Sequence, residues 1–214
     1  MIARLDSRAL VAVGGEDRRA FLHELLSQDV EALGSGELRY GLLLTPQGKL
    51  LWDLFFFEDG ERIVLDVEAA RREALVQRLT LYRLRSKVTV APLDGGVFAA
   101  WGDGAEGLTD PRLPGLGRRI YGEAEANASE NAYDAHRLAL GVPDPERDVA
   151  PETAYPIELD LDLLNAIDFK KGCFVGQETT SRMKRRGVIK TRTLPLVFEG
   201  EPPDRKSTRL NSSH

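Results

Sequence analysis

The chain of 214 residues contains a single cysteine, Cys173. An internal disulfide, a Cys-rich zinc site and a self-contained iron–sulfur cluster each need at least two thiolates, so none of these can be built here. Histidine is almost as scarce: once the tail described below is set aside only His23 and His136 remain, and no metal centre is expected. No run approaches the roughly 20 apolar residues of a membrane-spanning helix. Met1 to Gly14 lacks the apolar stretch and small-residue cleavage site of a secretory signal, so a cytoplasmic protein without membrane contact is expected. Basic residues are outnumbered, 29 against 34, for a net charge of −5. Phosphate backbones are repelled by that balance, and strong direct binding to nucleic acid is not expected. Internal repeats and low-complexity tracts are also missing.

The rest is an ordinary globular composition, 42% hydrophobic and 29% charged, enough for one large core or two small ones. Residues 204–214, Asp204 to His214, read as a non-native tail. They break off the strand-like run Leu194 to Phe198, carry no apolar periodicity and match the translation of a common sequencing adapter. The expected native region is therefore 1–203, with a C-terminal part missing. Without Arg205, Lys206, Arg209 and Asp204 the 29 basic and 34 acidic residues become 26 and 33, a net charge of −7.

Arg8 to Val13 alternates as a strand, and Gly14-Gly15 leads into a helix from about Glu16, with Phe21, Leu22, Leu25 and Leu26 at helical spacing. Tyr40 to Thr45 and Lys49 to Phe57 flank Pro46-Gln47-Gly48, the pattern of a β-hairpin closed by a Pro/Gly turn. Ile63 to Val67 predicts a strand, Glu68 to about Tyr82 a helix, and Val88 to Pro92 and Val97 to Trp101 two more strands. Residues 102–117 are rich in Gly and Pro and mark a loop, a possible sub-domain boundary. A helix at about Glu130 to Leu140 stops at Gly141. A Pro- and acid-rich connection, Pro143 to Pro156, and a short apolar segment, Leu159 to Ile167, follow. Sheet and helix alternate without the rhythm of parallel βαβ units, so the predicted class is α+β, with mixed or antiparallel sheets and flanking helices.

The segment richest in chemistry is Lys171-Gly172-Cys173-Phe174-Val175-Gly176-Gln177-Glu178. Gly172 and Gly176 bracket the cysteine as in a tight loop, where glycine can take positive φ. Gln177 to Arg186 has helix-forming composition, Glu178 near its start, Lys184, Arg185 and Arg186 in its last turn, and Gly187 as C-cap. Cys173 then precedes a helix N-terminus and sits beside Lys170 and Lys171, two influences that favour a thiolate. A lone cysteine also serves as a small buried hydrophobe, and the residues alone leave both roles open. Glu178 and Arg182, four apart, suit a surface salt bridge.

That octapeptide, with Arg182 and the basic stretch to Gly187, resembles the signature of the YgfZ family, which has a mitochondrial iron–sulfur assembly branch and is related to the glycine-cleavage aminomethyltransferases. Echoes run through the chain: Phe21-Leu22 followed by Gln28-Asp29, the turn Thr45-Pro46-Gln47-Gly48-Lys49, the run Leu84-Arg85-Ser86-Lys87-Val88, and Arg137 followed by Gly141-Val142-Pro143. The likeness covers nearly all of Ala9 to Gly200.

The resemblance implies an aminomethyltransferase-like fold around a pocket for tetrahydrofolate or a one-carbon derivative, with a small C-terminal β-barrel that this chain lacks. It implies an accessory role in assembling or repairing iron–sulfur clusters in client enzymes, tRNA-modifying ones included, with client or assembly proteins as partners. Cys173 and Lys171 become the candidates for chemistry. Gly172, Gly176, Gln177, Glu178 and Arg182 accompany them, with Asp53, Arg85 and Glu158 as further folate contacts. Arg83, Arg85 and Lys87 would share one face if that stretch is extended. Two departures from the transferase pattern, Trp52 before Asp53 and Ala139 within Arg137 to Gly141, remove carboxylates and argue against complete aminomethyl transfer. A folate-dependent aminomethyltransferase and a client-docking module without thiol chemistry are the rival readings.

Overall fold

The computed structural model describes residues 1–187, 189, 191–197 and 199–200. The expected tail at 204–214 lies outside them, as does Phe198. Leu194 to Val197 form no strand. In chain order the elements are β1 Ile2–Arg4, β2 Arg8–Gly14, α1 Arg18–Leu25, β3 Leu38–Leu44, β4 Leu50–Asp59, β5 Arg62–Glu68 and α2 Arg72–Tyr82. They continue with β6 Thr89–Leu93, β7 Gly96–Ala100, β8 Leu108–Thr109, β9 Arg118–Gly122, α3 Glu130–Ala139, α4 Pro145–Asp148 and α5 Gln177–Arg186.

Nine strands make two sheets among the described residues, ordered β3-β4-β5-β2-β6 and β1-β7-β9-β8. Each of these strand pairs is antiparallel, and among the described residues the parallel contact is an isolated bridge between Ala3 and Ala128. The class is α+β, as the sequence predicts. Residues 102–117 connect β7 to β9, which are neighbours in the smaller sheet, and contribute β8 to it.

Alternation along β4 organises the core. Trp52, Leu54 and Phe56 face α1 and α2, packing with Phe21, Leu22, Leu75 and Leu79. Phe55 and Phe57 face the other way, against the segment holding Leu159, Leu161, Ile167 and Phe174. The smaller sheet covers the rest of that second face, where Leu10 and Val64 meet Val97, Ala99, Trp101 and Tyr133. The larger sheet is thus enclosed on both sides, and burial of each large apolar side chain contributes about 1.5–3 kcal/mol. The β3–β4 hairpin closes as predicted: the Gly48 amide donates to the Thr45 carbonyl at 2.8 Å, and Gly48 takes φ +84°.

Candidate functional site

The predicted octapeptide forms an exposed loop on a fixed base. Cys173 is a free, exposed thiol, while Lys171 and Phe174 on either side are buried at 8% and 7% exposure. The Lys171 Nζ reaches under α1, donating to the carbonyl of Leu26 at 2.7 Å and to that of His23. These carbonyls close a helix C-terminus, where acceptors are left over and positive charge is favoured. Burial nevertheless pushes the Lys171 pKa down to about 8, against the pull of Asp29, Asp168, Glu31 and Cys173.

Upstream, Asp168 turns the chain by accepting from the amides of Lys170 at 2.7 Å and Lys171 at 3.2 Å. Ser27 anchors the same stretch, its hydroxyl donating to the Ala166 carbonyl at 2.6 Å and accepting from the Leu42 amide at 2.8 Å. Gln28 donates to the Asn165 carbonyl at 2.7 Å. The Gln28 echo is thus a strap holding the cysteine loop to α1 and β3.

Downstream, Gly176 caps α5 at φ +82° and Gly187 ends it at φ +63°. Gly172 does not take positive φ, so only one of the two bracketing glycines serves the conformational role expected of both. A β-carbon on Gly176 would lie 2.6 Å from the Thr45 carbonyl oxygen and 2.9 Å from the Gly48 α-carbon. The hairpin turn and the cysteine loop therefore touch backbone to backbone. Gln177 folds back, donating to the Gly172 carbonyl at 3.3 Å. Glu178 and Arg182 are exposed and form no ion pair with each other. In its place Lys184 reaches Asp162 at 2.9 Å, beside the Phe169 ring at 5.5 Å.

A second cluster lies between the sheets, and Asp53 belongs to it. Its side chain is 4% exposed, with one oxygen accepting from Tyr40 Oη at 3.1 Å. The other, Oδ1, has no hydrogen-bond partner among the described residues, and Arg8 stands 3.8 Å from it. Nearby, Asp66 accepts from Arg8 Nε and Arg119 Nη1, both at 2.7 Å, and from Tyr121 Oη at 3.1 Å. Asp110 receives Arg112 at 2.8 Å and Arg119 at 3.4 Å. Arg119 and Arg112 stack on the Phe55 ring at 3.7 Å and 4.8 Å. Burial opposes ionisation of both aspartates, but Arg8 and Arg119 around Asp66, and Arg112 beside Asp110, outweigh it and hold each below the usual carboxylate range.

Arg8, Asp53, Phe55, Arg112, Arg119 and Tyr133 enclose a space of about 30 Å³. Glu130, Asp134 and Arg147 stand at its mouth, joined by ion pairs. Composition and spacing did not single out Arg8, Asp66, Asp110, Arg112 or Arg119. The available signal was an acid or arginine standing at an inward position of an apolar strand, as in Asp66 of β5.

The remaining candidates lie apart from that space. Glu158 is a cap: its carboxylate accepts from the Tyr155 amide at 2.8 Å and from Thr191 Oγ1 at 2.9 Å. Arg85 sits in the turn after α2, beside Asp17, Leu84 and Ser86. The stretch 83–87 is not extended, since Leu84 turns at φ +45°, so Arg83, Arg85 and Lys87 do not share a strand face. Trp52 points away from Asp53 into the helical side of the core, under Arg71 at 4.3 Å and Arg78 at 5.4 Å. A carboxylate in its place would not have faced the Asp53 space.

No family model matches the chain. Among curated proteins it is similar to an iron–sulfur cluster assembly factor IBA57 homolog of Neurospora crassa, 30% identical over 95% of this chain and 55% of the relative. It is also similar to the IBA57 proteins of Homo sapiens, 31% identical over 91% of this chain and 65% of theirs, and of Mus musculus, 30% identical over 94% and 67%. The chain spans a little over half the length of the fungal relatives. Among solved structures it resembles the glycine cleavage system aminomethyltransferase T of Bartonella henselae, with a TM-score of 0.69 at 19% identity, covering 86% of this chain and 63% of that one. The aminomethyltransferase-like fold is therefore shown. The expected cytoplasmic location is overturned, because each of these IBA57 relatives is named as mitochondrial.

Proposed function

This chain belongs to the IBA57 family of iron–sulfur cluster assembly factors, and from that premise we propose that it is a folate-binding accessory protein presenting the Cys173 thiol to iron–sulfur assembly partners or client enzymes. The observation that carries the reading is the contrast around Cys173: an exposed thiol between two buried anchors, Lys171 and Phe174. A cysteine serving only as a small hydrophobe would be inside. One thiol per chain supplies one ligand to a cluster, so a partner supplies the rest. The compartment of the named relatives, the mitochondrion, is the setting proposed, and the YgfZ likeness extends the clients to tRNA-modifying enzymes.

The folate part of the proposal rests on Asp53. Its unpartnered Oδ1 calls for an N–H donor, which the pterin ring offers, and Phe55 and Tyr133 give aromatic walls. The space of about 30 Å³ admits a water but not a pterin. Entry of folate therefore requires the ion-paired mouth of Glu130, Asp134 and Arg147 to part.

Docking without thiol chemistry is favoured by one observation, the exposed cationic side chains Arg182, Arg185 and Arg186 on α5. Complementation separates the readings. The gene and its Cys173→Ser variant are expressed in a cell lacking its own family member, and a cluster-dependent enzyme is assayed. Rescue that fails with Cys173→Ser supports the thiol reading. Rescue by both variants transfers the role to docking, and rescue by neither removes the iron–sulfur reading.

A further inference from the structure

The end of α2 points its apolar side chains outward. Leu75 and Leu79 on this helix are fully buried, yet Leu81 is 75% exposed, Tyr82 36% and Leu84 88%. Leu84 also holds φ +45°, a left-handed conformation that a leucine adopts only at a cost in stability. That turn projects the side chain into solvent between Arg83 and Arg85, over an open hollow of about 680 Å³ bordered by Asp17 and Ser86. Of the neighbouring cations, Lys87 is matched by Glu16 at 2.7 Å and Arg83 donates to the Val88 carbonyl at 3.3 Å. Arg85 has no ion-pair partner among the described residues.

An apolar knob with a cationic collar is a docking feature. Its charge is opposite to that of the molecule, whose net charge is −5. An acidic partner is attracted here against the overall repulsion of the molecule, which favours this orientation. An anionic bilayer fits less well, since electrostatic adhesion to lipid takes roughly four or more clustered cations, and the collar has Arg83 and Arg85. We infer that Leu84, with Arg83 and Arg85, docks an acidic protein partner of iron–sulfur assembly, the leucine entering an apolar pocket and the arginines meeting carboxylates on its rim. The inference rests on the iron–sulfur reading above and places the partner contact away from the Cys173 loop and from α5.

Three readouts test it in the complementation cell: rescue by the parent, Leu84→Gly and Arg85→Glu chains; Tm of each purified chain; and a photoreactive residue in place of Leu81. Leu84→Gly removes the knob and relieves the positive φ together. The expected result is an unchanged or higher Tm with cluster-enzyme recovery down about tenfold or more. The parent yields a photo-adduct with an acidic assembly protein that Leu84→Gly and Arg85→Glu both lose. Full rescue by both variants with an undiminished adduct overturns the inference and leaves the iron–sulfur reading standing. Failure of the parent to rescue overturns that reading and this inference with it. Sedimentation of the parent, but not of Leu84→Gly, with phosphatidylcholine–phosphatidylserine vesicles overturns the protein partner in favour of a membrane.

Discussion

Gly48, in the turn of the β3–β4 hairpin, and Gly176, at the start of α5, approach so closely that a β-carbon on Gly176 would sit 2.9 Å from the Gly48 α-carbon. More than 120 residues separate them in sequence, and each belongs to a motif that carries the family resemblance. Their contact seats the cysteine loop on the hairpin.

Gly176→Ala should be among the more damaging single-methyl changes in this chain. It forces a side chain into φ +82° and places carbon 2.6 Å from the Thr45 carbonyl oxygen. Overpacking and positive-φ strain together predict a loss of about 2–4 kcal/mol in urea unfolding, with altered Cys173 reactivity in the folded state. Gly48→Ala, which would meet the Thr179 β-carbon at 3.0 Å and the Gly176 carbonyl oxygen at 3.1 Å, should cost less, since these contacts are longer than the 2.6 Å and 2.9 Å met at Gly176.

Lys171→Met should cost about 2–3 kcal/mol, because the carbonyls of His23 and Leu26 lose their buried donor. A pH signature accompanies it. The folded-state pKa of Lys171 is lowered from 10.5 to about 8, so between those values the unfolded chain binds the proton and the folded chain does not. Stability from this group therefore rises as pH climbs through that window, and its cost is fully present below pH 8. The variant should lack this rise in parallel urea titrations.

Cys173→Ser should leave unfolding free energy within about 0.5 kcal/mol of the parent, as expected for an exposed side chain, while cluster-enzyme rescue is lost. A thiol reagent should label the folded parent without denaturant. Protection of the thiol in the folded state would remove the basis of the proposed role.

Asp66→Asn and Asp53→Asn should separate scaffold from pocket. Asp66 neutralises Arg8 and Arg119 in a buried layer, so its loss leaves charge uncompensated at about 3–5 kcal/mol. Asp53, with one oxygen unpartnered, should cost about 1 kcal/mol but weaken 5-formyltetrahydrofolate binding about tenfold or more, read by calorimetry. Equal affinity in parent and Asp53→Asn would sink the folate assignment of this space.

Glu146, paired with Arg71 at 2.7 Å, provides a second pH handle. Burial first, then the charge of Asp53, raises its pKa from 4.5 to about 7. In that interval the folded chain holds a proton that the unfolded chain has released. Its contribution to stability is full below pH 4.5 and falls away as pH rises to about 7. Glu146→Gln should flatten this decline, and at pH 8 should be no less stable than the parent in thermal melts.

Local pattern was enough for most elements and for the cysteine loop. Alternation in β4, helical spacing in α1 and the Gly187 stop of α5 are short-range signals whose physics is complete within a few residues. The octapeptide and the helix it opens are legible for the same reason: the glycine cap, acidic first turn and basic last turn of α5 act on the backbone next to them. Whether Cys173 is inside or outside was not legible, because exposure depends on what Lys171 and Phe174 find to bury themselves against.

Sequence alone thus determined the α+β class, the hairpin, and the absence of any second thiol. Tertiary structure decided the rest, because the decisive contacts join segments with no local signature. Lys171 meets the end of α1 from 145 residues away, Arg119 meets Asp66 from 53, and Asp53 acquires an unpartnered oxygen only once two sheets close over it. Burial converts such an acid from a solvated charge into a demand for a specific partner, and burial is a property of the assembled fold.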